Sequence, residues 1–510
     1  MNFANAVQRM GHDYADRLAL RQGDTALTYS DLVNQSRRVA TVLGTYGVQA
    51  GDRVAILLPN CIEYLPIVFA IWQVGAVGVP LNSLLPKEQL AHVMADSGAS
   101  AIIGTADSLP GLAEIAPGAT VFTLRAATGG AIDIASLDGV EATHRIAPRR
   151  DSDDALIMYT SGSTGKPKGV RQTHRNIYVQ IDALADTLAI NADDIALNTM
   201  ALFHVSGLQF GSLPVLLRGG TVLFIERWDP RIWVEMVQRD RPTISTLITT
   251  MLIDVGNLVH NDSVDLSSLR LCMFGGSRTP PSAIERFRAG TGIDPVEIYG
   301  ATETNGITIT YNAGEARRPG AAGRGMIQAN EFCLVPPGGT KPLAADSREV
   351  GELWVRGDTV TPGYWNLPDV TAEKLRDGWL RSGDLMWRDD DGYFYYVDRI
   401  DDMIVSGGEN VYPQAVEASL AACPLIAEVV VFGTPHPRWV QQVTALIVPV
   451  NADVTAEQIL DFCRTAPGLS GIHRPKRIEF ADLLPRTGSG KLDRTAVKRR
   501  FADETTIIPS

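Results

Sequence analysis

Cysteine is scarce in this chain. The five residues (Cys61, Cys272, Cys333, Cys423 and Cys463) are odd in number, far apart and in no C-x-x-C pair. A disulfide framework is therefore not expected, and a reducing compartment suits the chain. The eight histidines form no H-x-x-x-H pair and stand at no ligand spacing from a cysteine, so nothing argues for a structural zinc site. Basic residues are outnumbered, 46 against 58 acidic ones. The net charge of −12 leaves no excess positive field to displace counterions from a nucleic acid. An uninterrupted membrane-length apolar run is also missing. The nearest candidate, YLPIVFAIWQVGAVGVPLN, holds two prolines, two glycines and a glutamine, and reads as a buried helix followed by a strand. The first residues, MNFANAVQRMGHDYADR, lack the basic and apolar regions of a signal peptide, and the final TTIIPS is no sorting address. A cytoplasmic protein is expected.

What the chain does have is length and apolar material. With 510 residues, 45% of them hydrophobic, it suffices for several packed units. Strand-like runs alternate with amphipathic helices. VAILLP (54–59) precedes a helix near 62–75, and AVGVPL (76–81) precedes PKEQLAHVMADSG. TVLFI (221–225) leads into DPRIWVEMVQRD, then TISTLIT, then LRLCMFG and PSAIERFRAG. This order predicts an α/β fold, a large N-terminal domain of layered, mostly parallel sheets. After about 340 the texture turns strand- and turn-rich (GELWVRG, TPGYW, GWLRSGDL, DGYFYYVDR), predicting a β-rich subdomain. A charged break, DRIDD (398–402), precedes about 110 residues with their own βα pattern, the expected small α+β C-terminal domain.

The densest local signal is Tyr159 to Gly169, YTSGSTGKPKG. Hydroxyls of Thr160, Ser161, Ser163 and Thr164 are interleaved with Gly162, Gly165 and Gly169, and Lys166 and Lys168 add positive charge. The preceding IMY reads as a strand end, and THRNIYVQIDALADTL as a helix. Glycines let backbone N–H groups turn toward an anion, and hydroxyls and ammoniums supply further donors, so the loop suits a polyphosphate. It is not a Walker A loop, because Gly165-Lys166-Pro167 breaks the G-K-[ST] ending. No G-x-G-x-x-G opens a helix, and no G-x-S-x-G nucleophile elbow is present.

YTSGSTGKPKG, IYGATET (298–304), RSGDL (381–385), VDRIDDMIVSGGENVYP (397–413) and PRTGSGKLDR (485–494) together resemble, in order and spacing, the motifs of the adenylate-forming superfamily. That superfamily comprises acyl-CoA synthetases, luciferases and amino-acid-adenylating domains. The resemblance runs from about residue 150 to the end. It implies an N-terminal adenylation domain (1–398), a hinge (399–402) and a mobile C-terminal domain (403–510). It also implies a two-step reaction: a carboxylate attacks the α-phosphorus of ATP to give an acyl-adenylate and pyrophosphate, and a thiol then displaces AMP.

By resemblance, Thr160, Ser161, Gly162, Ser163, Thr164, Gly165 and Lys168 hold the β- and γ-phosphates. Thr302 donates to the α-phosphate and Glu303 takes Mg²⁺, an ion that prefers carboxylate and phosphate oxygens. Tyr299 flanks the adenine, with Gly275, Gly276 and Gly300 along the same slot. Asp384 accepts from the ribose hydroxyls, and Arg399 is a second ribose or phosphate contact. Lys491 bridges substrate carboxylate and α-phosphate during adenylation. Rotation about Asp401 then replaces it with Ser406, Gly407, Gly408 and Glu409, where coenzyme A enters. His204, in ALFHVSGLQF, matches the position that gates the acyl or pantetheine tunnel, although a satisfied core histidine is the plainer reading. Arg278 is either a reader of a polar group on the substrate or a surface arginine.

The substrate is expected to be a fatty or other apolar or aromatic acid. Ser206 stands where amino-acid-adenylating relatives carry an aspartate, and no acid lies between Ala201 and Gly220. Val205, Leu208, Phe210 and Ile307 are apolar. Val405 replaces the lysine of the luciferase-like branch. Free coenzyme A is the expected acceptor, and a stand-alone acyl carrier protein the alternative. A silent nucleotide-binding scaffold would predict damaged motifs, and these are intact. Monomer and homodimer stay equally open.

Overall fold

The computed structural model describes residues 2–502 except 109–110, 112–113, 125–130, 135–136, 138, 161–165, 260–263, 277–278, 327, 407–408 and 487–491. It divides into two compact units, residues 1–332 with 355–380, and residues 333–354 with 381–510. The chain passes from one to the other within the strands Asn330–Val335, Gly351–Gly357 and Trp379–Arg388.

The first unit holds two large sheets. One has seven strands, running in space Ile132–Asp133, Thr120–Leu124, Ala101–Thr105, Arg53–Leu57, Val77–Pro80, Asp154–Thr160 and Lys168–Thr173. All of its pairs are parallel except the last. The other has nine strands, with a parallel centre of Val296–Ala301, Leu271–Gly275, Ile244–Ile248, Ile195–Asn198, Thr221–Phe224 and Leu18–Gln22. Parallel strands need helical cover on both faces, which the alternating helices provide. The membrane-like stretch is the helix Tyr64–Gln73, every residue of it buried, followed by the strand Val77–Pro80. Among the described residues no helix is long and apolar enough to cross a membrane. All five cysteines are free thiols.

The second unit carries a five-stranded sheet ordered Glu409–Val411, Ile404–Ser406, Val440–Pro449 and Ile426–His436, with Arg477–Phe480 parallel to Val440–Pro449. The helices Pro413–Leu420 and Ala456–Thr465 bury Val416, Leu420, Ile459 and Cys463 against it. The closing helix Arg494–Ala502 adds Val497 and Phe501 beside Val430, Phe432 and Leu446. This is the small α+β body that the sequence pattern predicts.

Candidate active site

The structure corrects the expected strand–loop–helix reading at the phosphate loop. Asp154–Thr160 is followed by a second strand, Lys168–Thr173, antiparallel to it, with Thr160 opposite Lys168. The helix His174–Thr187 begins only after that, capped by a reciprocal pair of bonds between Thr173 and Asn176. The segment is therefore flanked by the two strands of a hairpin, and no helix N-terminus directly follows Gly169. Lys168 is half-buried and Lys166 exposed. Residues Ser161 to Gly165 lie outside the described residues, as do Arg278, Gly407, Gly408 and Lys491.

Both hairpin roots are anchored. The Tyr159 hydroxyl donates to Asp96 Oδ2 at 2.6 Å. The amide of Trp365 donates to Gly169 O at 2.7 Å, and the Trp365 indole donates to Asp96 O at 3.0 Å.

The Gly275, Tyr299 and Thr302 segments sit at or just past the C-terminal ends of parallel strands, where open α/β sheets place their ligands. Strand Val296–Ala301 bulges between Tyr299 and Gly300 against Gly306–Thr310. A β-carbon at Gly300 would lie 1.8 Å from Gly306 O, so only glycine fits. Gly276 has φ of +89°, the left-handed region glycine tolerates. Tyr299 is half-buried.

Thr302–Thr304 is a single 3₁₀ turn, and Asn305 closes it in the left-handed conformation. The turn is held on all sides. Thr304 Oγ1 accepts from the Ala301 amide, and Thr302 O accepts from the buried Gln172 amide at 3.0 Å. Glu303 O accepts from the Thr361 amide at 2.8 Å. The Glu303 carboxylate is half-buried, and its Oε1 accepts from the Tyr364 hydroxyl at 2.8 Å. Among the described residues no group of three or more acidic, histidine or cysteine side chains is placed to hold a metal ion. A cation here would thus take one carboxylate and complete its shell from ligand oxygens and water, the set a nucleotide-borne Mg²⁺ uses. The donors present fit that ion.

His204 precedes the π-helical turn Ser206–Phe210. Its Nδ1 accepts from the Ser206 amide at 3.2 Å, which places the proton of the neutral ring on Nε2. The ring is half-buried rather than sealed in the core. The expected apolar lining needs revision. Val205, Leu208 and Ile307 are buried at 3%, 0% and 1% exposure and belong to the core. The turn leaves Ser206 and Phe210 partly accessible. Phe210 lies beside Gly306, 3.2 Å from where a β-carbon would stand.

In the second unit, Asp384 faces Arg399 across the antiparallel pair Trp379–Arg388 and Phe394–Arg399. Their side chains pair at 3.1 Å through Asp384 Oδ1. The neighbouring Asp398 is fully buried and accepts from the amides of Arg399 (2.8 Å) and Gln414 (2.9 Å). Burial pushes its carboxyl up to about 6 against the pull of Arg494. Asp401 is exposed, and Ser406 pairs with Glu409 across a short hairpin.

Three residues that hold these segments went unnoticed in the sequence. Gln172 looks like an ordinary strand residue. Lys498, which binds the 401–402 segment, looks like one of several basic residues on a terminal helix. Tyr364 sits in TPGYW, a run that reads only as a turn.

Two sequence profiles match the chain: that of the AMP-binding enzyme family over residues 7–365, and that of the AMP-binding enzyme C-terminal domain over residues 415–491. The chain is 40% identical over 486 residues to a feruloyl-CoA synthase of Amycolatopsis sp, covering 95% of this chain and 96% of the relative. Its fold matches ATP-bound MatB from Rhodopseudomonas palustris with a TM-score of 0.90 at 28% identity, covering 99% and 100% of the two chains. It also matches o-succinylbenzoate CoA synthetase (MenE) from Bacillus subtilis in complex with the acyl-adenylate intermediate OSB-AMP, with a TM-score of 0.86 at 29% identity, covering 97% and 98%.

Proposed function

Because this chain belongs to the AMP-binding enzyme family, the adenylate-forming acyl-CoA synthetases, we propose that its own residues divide the two half-reactions of acid activation as follows. The protein is an AMP-forming acid–thiol ligase that binds ATP and an apolar or aromatic carboxylic acid. The acid is an aryl or arylalkenyl acid in the first instance, since the 40% identical relative is a feruloyl-CoA synthase, with fatty acids next.

In the first step the carboxylate oxygen attacks the α-phosphorus, a bond to the bridging oxygen breaks, and pyrophosphate leaves. Two anions must meet, so the protein supplies cationic and oriented donors. The hairpin tip with Thr160 and Lys168 holds the β- and γ-phosphates, Thr302 donates to the α-phosphate, and Lys491 bridges the reacting oxygens. Glu303 takes the Mg²⁺ that accompanies ATP, an ion that offsets phosphate charge when bound. Tyr299 and the glycine backbone at 275, 276 and 300 hold the adenine. Asp384, beside Arg399, accepts from the ribose hydroxyls.

In the second step the hinge at 399–402 turns the domain beyond it. Lys491 withdraws, and the Ser406–Glu409 segment admits the pantetheine arm. The coenzyme A thiolate then attacks the acyl carbon and AMP leaves, with His204 at the tunnel mouth. The reaction belongs in the cytoplasm, where coenzyme A and reduced cysteines coexist.

One observation carries this reading. The segment Thr361–Trp365 holds both the root of the phosphate hairpin and the backbone and carboxylate of Glu303, which ties the hairpin root to the acid. The test is pyrophosphate release with a panel of cinnamic, benzoic and fatty acids, with ATP and with or without coenzyme A. Acid-dependent release with AMP and thioester as products is expected. Nucleotide binding without turnover on any acid would refute it, and turnover only with a phosphopantetheinylated carrier protein would change the acceptor.

A further inference from the structure

Thr361–Trp365 lies alongside the strand Lys168–Thr173. The Thr361 hydroxyl donates to Arg171 O at 2.6 Å, the Arg171 amide donates to Gly363 O at 3.0 Å, and Val170 and Tyr364 form an antiparallel bridge. Gly363 lets the segment turn back close against the helix Pro368–Lys374. Its φ is +142°, and a β-carbon there would lie 2.5 Å from Thr371 Cγ2. The Tyr364 ring is 8% exposed, so the hydroxyl has little freedom to leave Glu303.

A glutamate has three side-chain rotors, and the half-buried Glu303 could swing away from its working position. The Tyr364 hydroxyl fixes one carboxylate oxygen at 2.8 Å. Among the described residues the other oxygen, Oε2, takes no hydrogen bond and stays available. We infer that Tyr364 is a positioning residue that aims the Glu303 carboxylate at the divalent cation brought in by ATP. The inference rests on Glu303 being the metal ligand. Outer partners of metal-binding carboxylates typically contribute about 10- to 100-fold in metal affinity.

The test is Tyr364→Phe in the full chain, which keeps the ring and removes the donor. Mn²⁺ binding to the enzyme–ATP complex, without acid, is read by electron paramagnetic resonance. ATP binding without metal is read by calorimetry. The expected result is a fall of about 10- to 100-fold in Mn²⁺ affinity, unchanged metal-free ATP affinity, and no further fall when Tyr364→Phe is added to Glu303→Gln. Wild-type Mn²⁺ affinity in Tyr364→Phe overturns the inference, and so does an equal fall in the Glu303→Gln background, which would mark a purely structural role. If Glu303→Gln alone leaves Mn²⁺ affinity at the wild-type value, the premise about Glu303 fails and removes the inference with it. Tyr364→Met, which also lacks a donor, repeats the comparison if the phenylalanine variant does not fold.

Discussion

Lys498 donates to the main-chain oxygen of Asp401 at 2.8 Å and pairs with the Asp402 carboxylate at 2.6 Å. The closing helix thereby grips the chain at the proposed pivot. Arg494, one turn earlier, is fixed by both oxygens of Glu417 at 2.7 and 2.6 Å. The grip comes from a partly exposed lysine, so its worth is about 1 kcal/mol or less.

Restricting the pivot and loosening the grip should have separable effects. Asp401→Pro is expected to slow thioester formation from presupplied acyl-adenylate by at least about tenfold more than it slows pyrophosphate exchange, because proline fixes φ where rotation is needed. Lys498→Met should change the ratio of the two rates by no more than about fivefold, the equivalent of about 1 kcal/mol. Equal effects of Asp401→Pro on both half-reactions, measured separately, would argue against a pivot there.

Lys491→Ala should lower acid-dependent ATP–pyrophosphate exchange by ~10²–10³-fold, the usual loss for one transition-state contact. Thioester formation from presupplied acyl-adenylate should be spared. A parallel loss in both assays would remove Lys491 from its assigned role.

Gly300→Ala places a β-carbon 1.8 Å from a backbone oxygen, and no flexible side chain is there to yield. The strand pair must open at the bulge, at a cost of about 3 kcal/mol or more. A lowered melting temperature accompanied by lost exchange activity is the expected pair of results. Full stability would mean that the bulge relaxes freely.

Asp398 has a folded-state pKa of about 6, above its ordinary 3.8. Below pH 4 the carboxyl is protonated in both the folded and unfolded chain. As pH rises to 6 and beyond, the folded state must hold a buried charge, facing Arg494, Glu417 and Tyr396, that the unfolded state solvates. Its contribution to stability is therefore greatest at low pH and is lost as pH rises through about 6. Relative to wild type, Asp398→Asn should gain stability between pH 4 and 7.5, by up to about 3 kcal/mol. Denaturation midpoints that differ by a constant amount across that range would contradict this.

The elements with a clean period were legible in the sequence. Tyr64–Gln73, Thr221–Phe224 and Ile244–Ile248 fall where apolar runs place them. The strand Lys168–Thr173 was not legible, because KGVRQT has no alternation and its cations suggested only a loop. Glu303 was readable from its motif, whereas its hydroxyl partner sits 61 residues away and is joined to it only by the fold. Leu208 misled for a different reason. Hydrophobicity marks a residue as apolar, but only the π-helical turn decides that Leu208 faces the core while Phe210 stays accessible.

The hairpin under the phosphate loop has a mechanical consequence. Asp96 and Trp365 tie its two strands to one another, so the loss of either anchor loosens both strands at once. The helix His174–Thr187 keeps its own buried cap, Thr173 with Asn176. A fault at Asp96 or Trp365 is therefore felt at both ends of the hairpin before it reaches that helix.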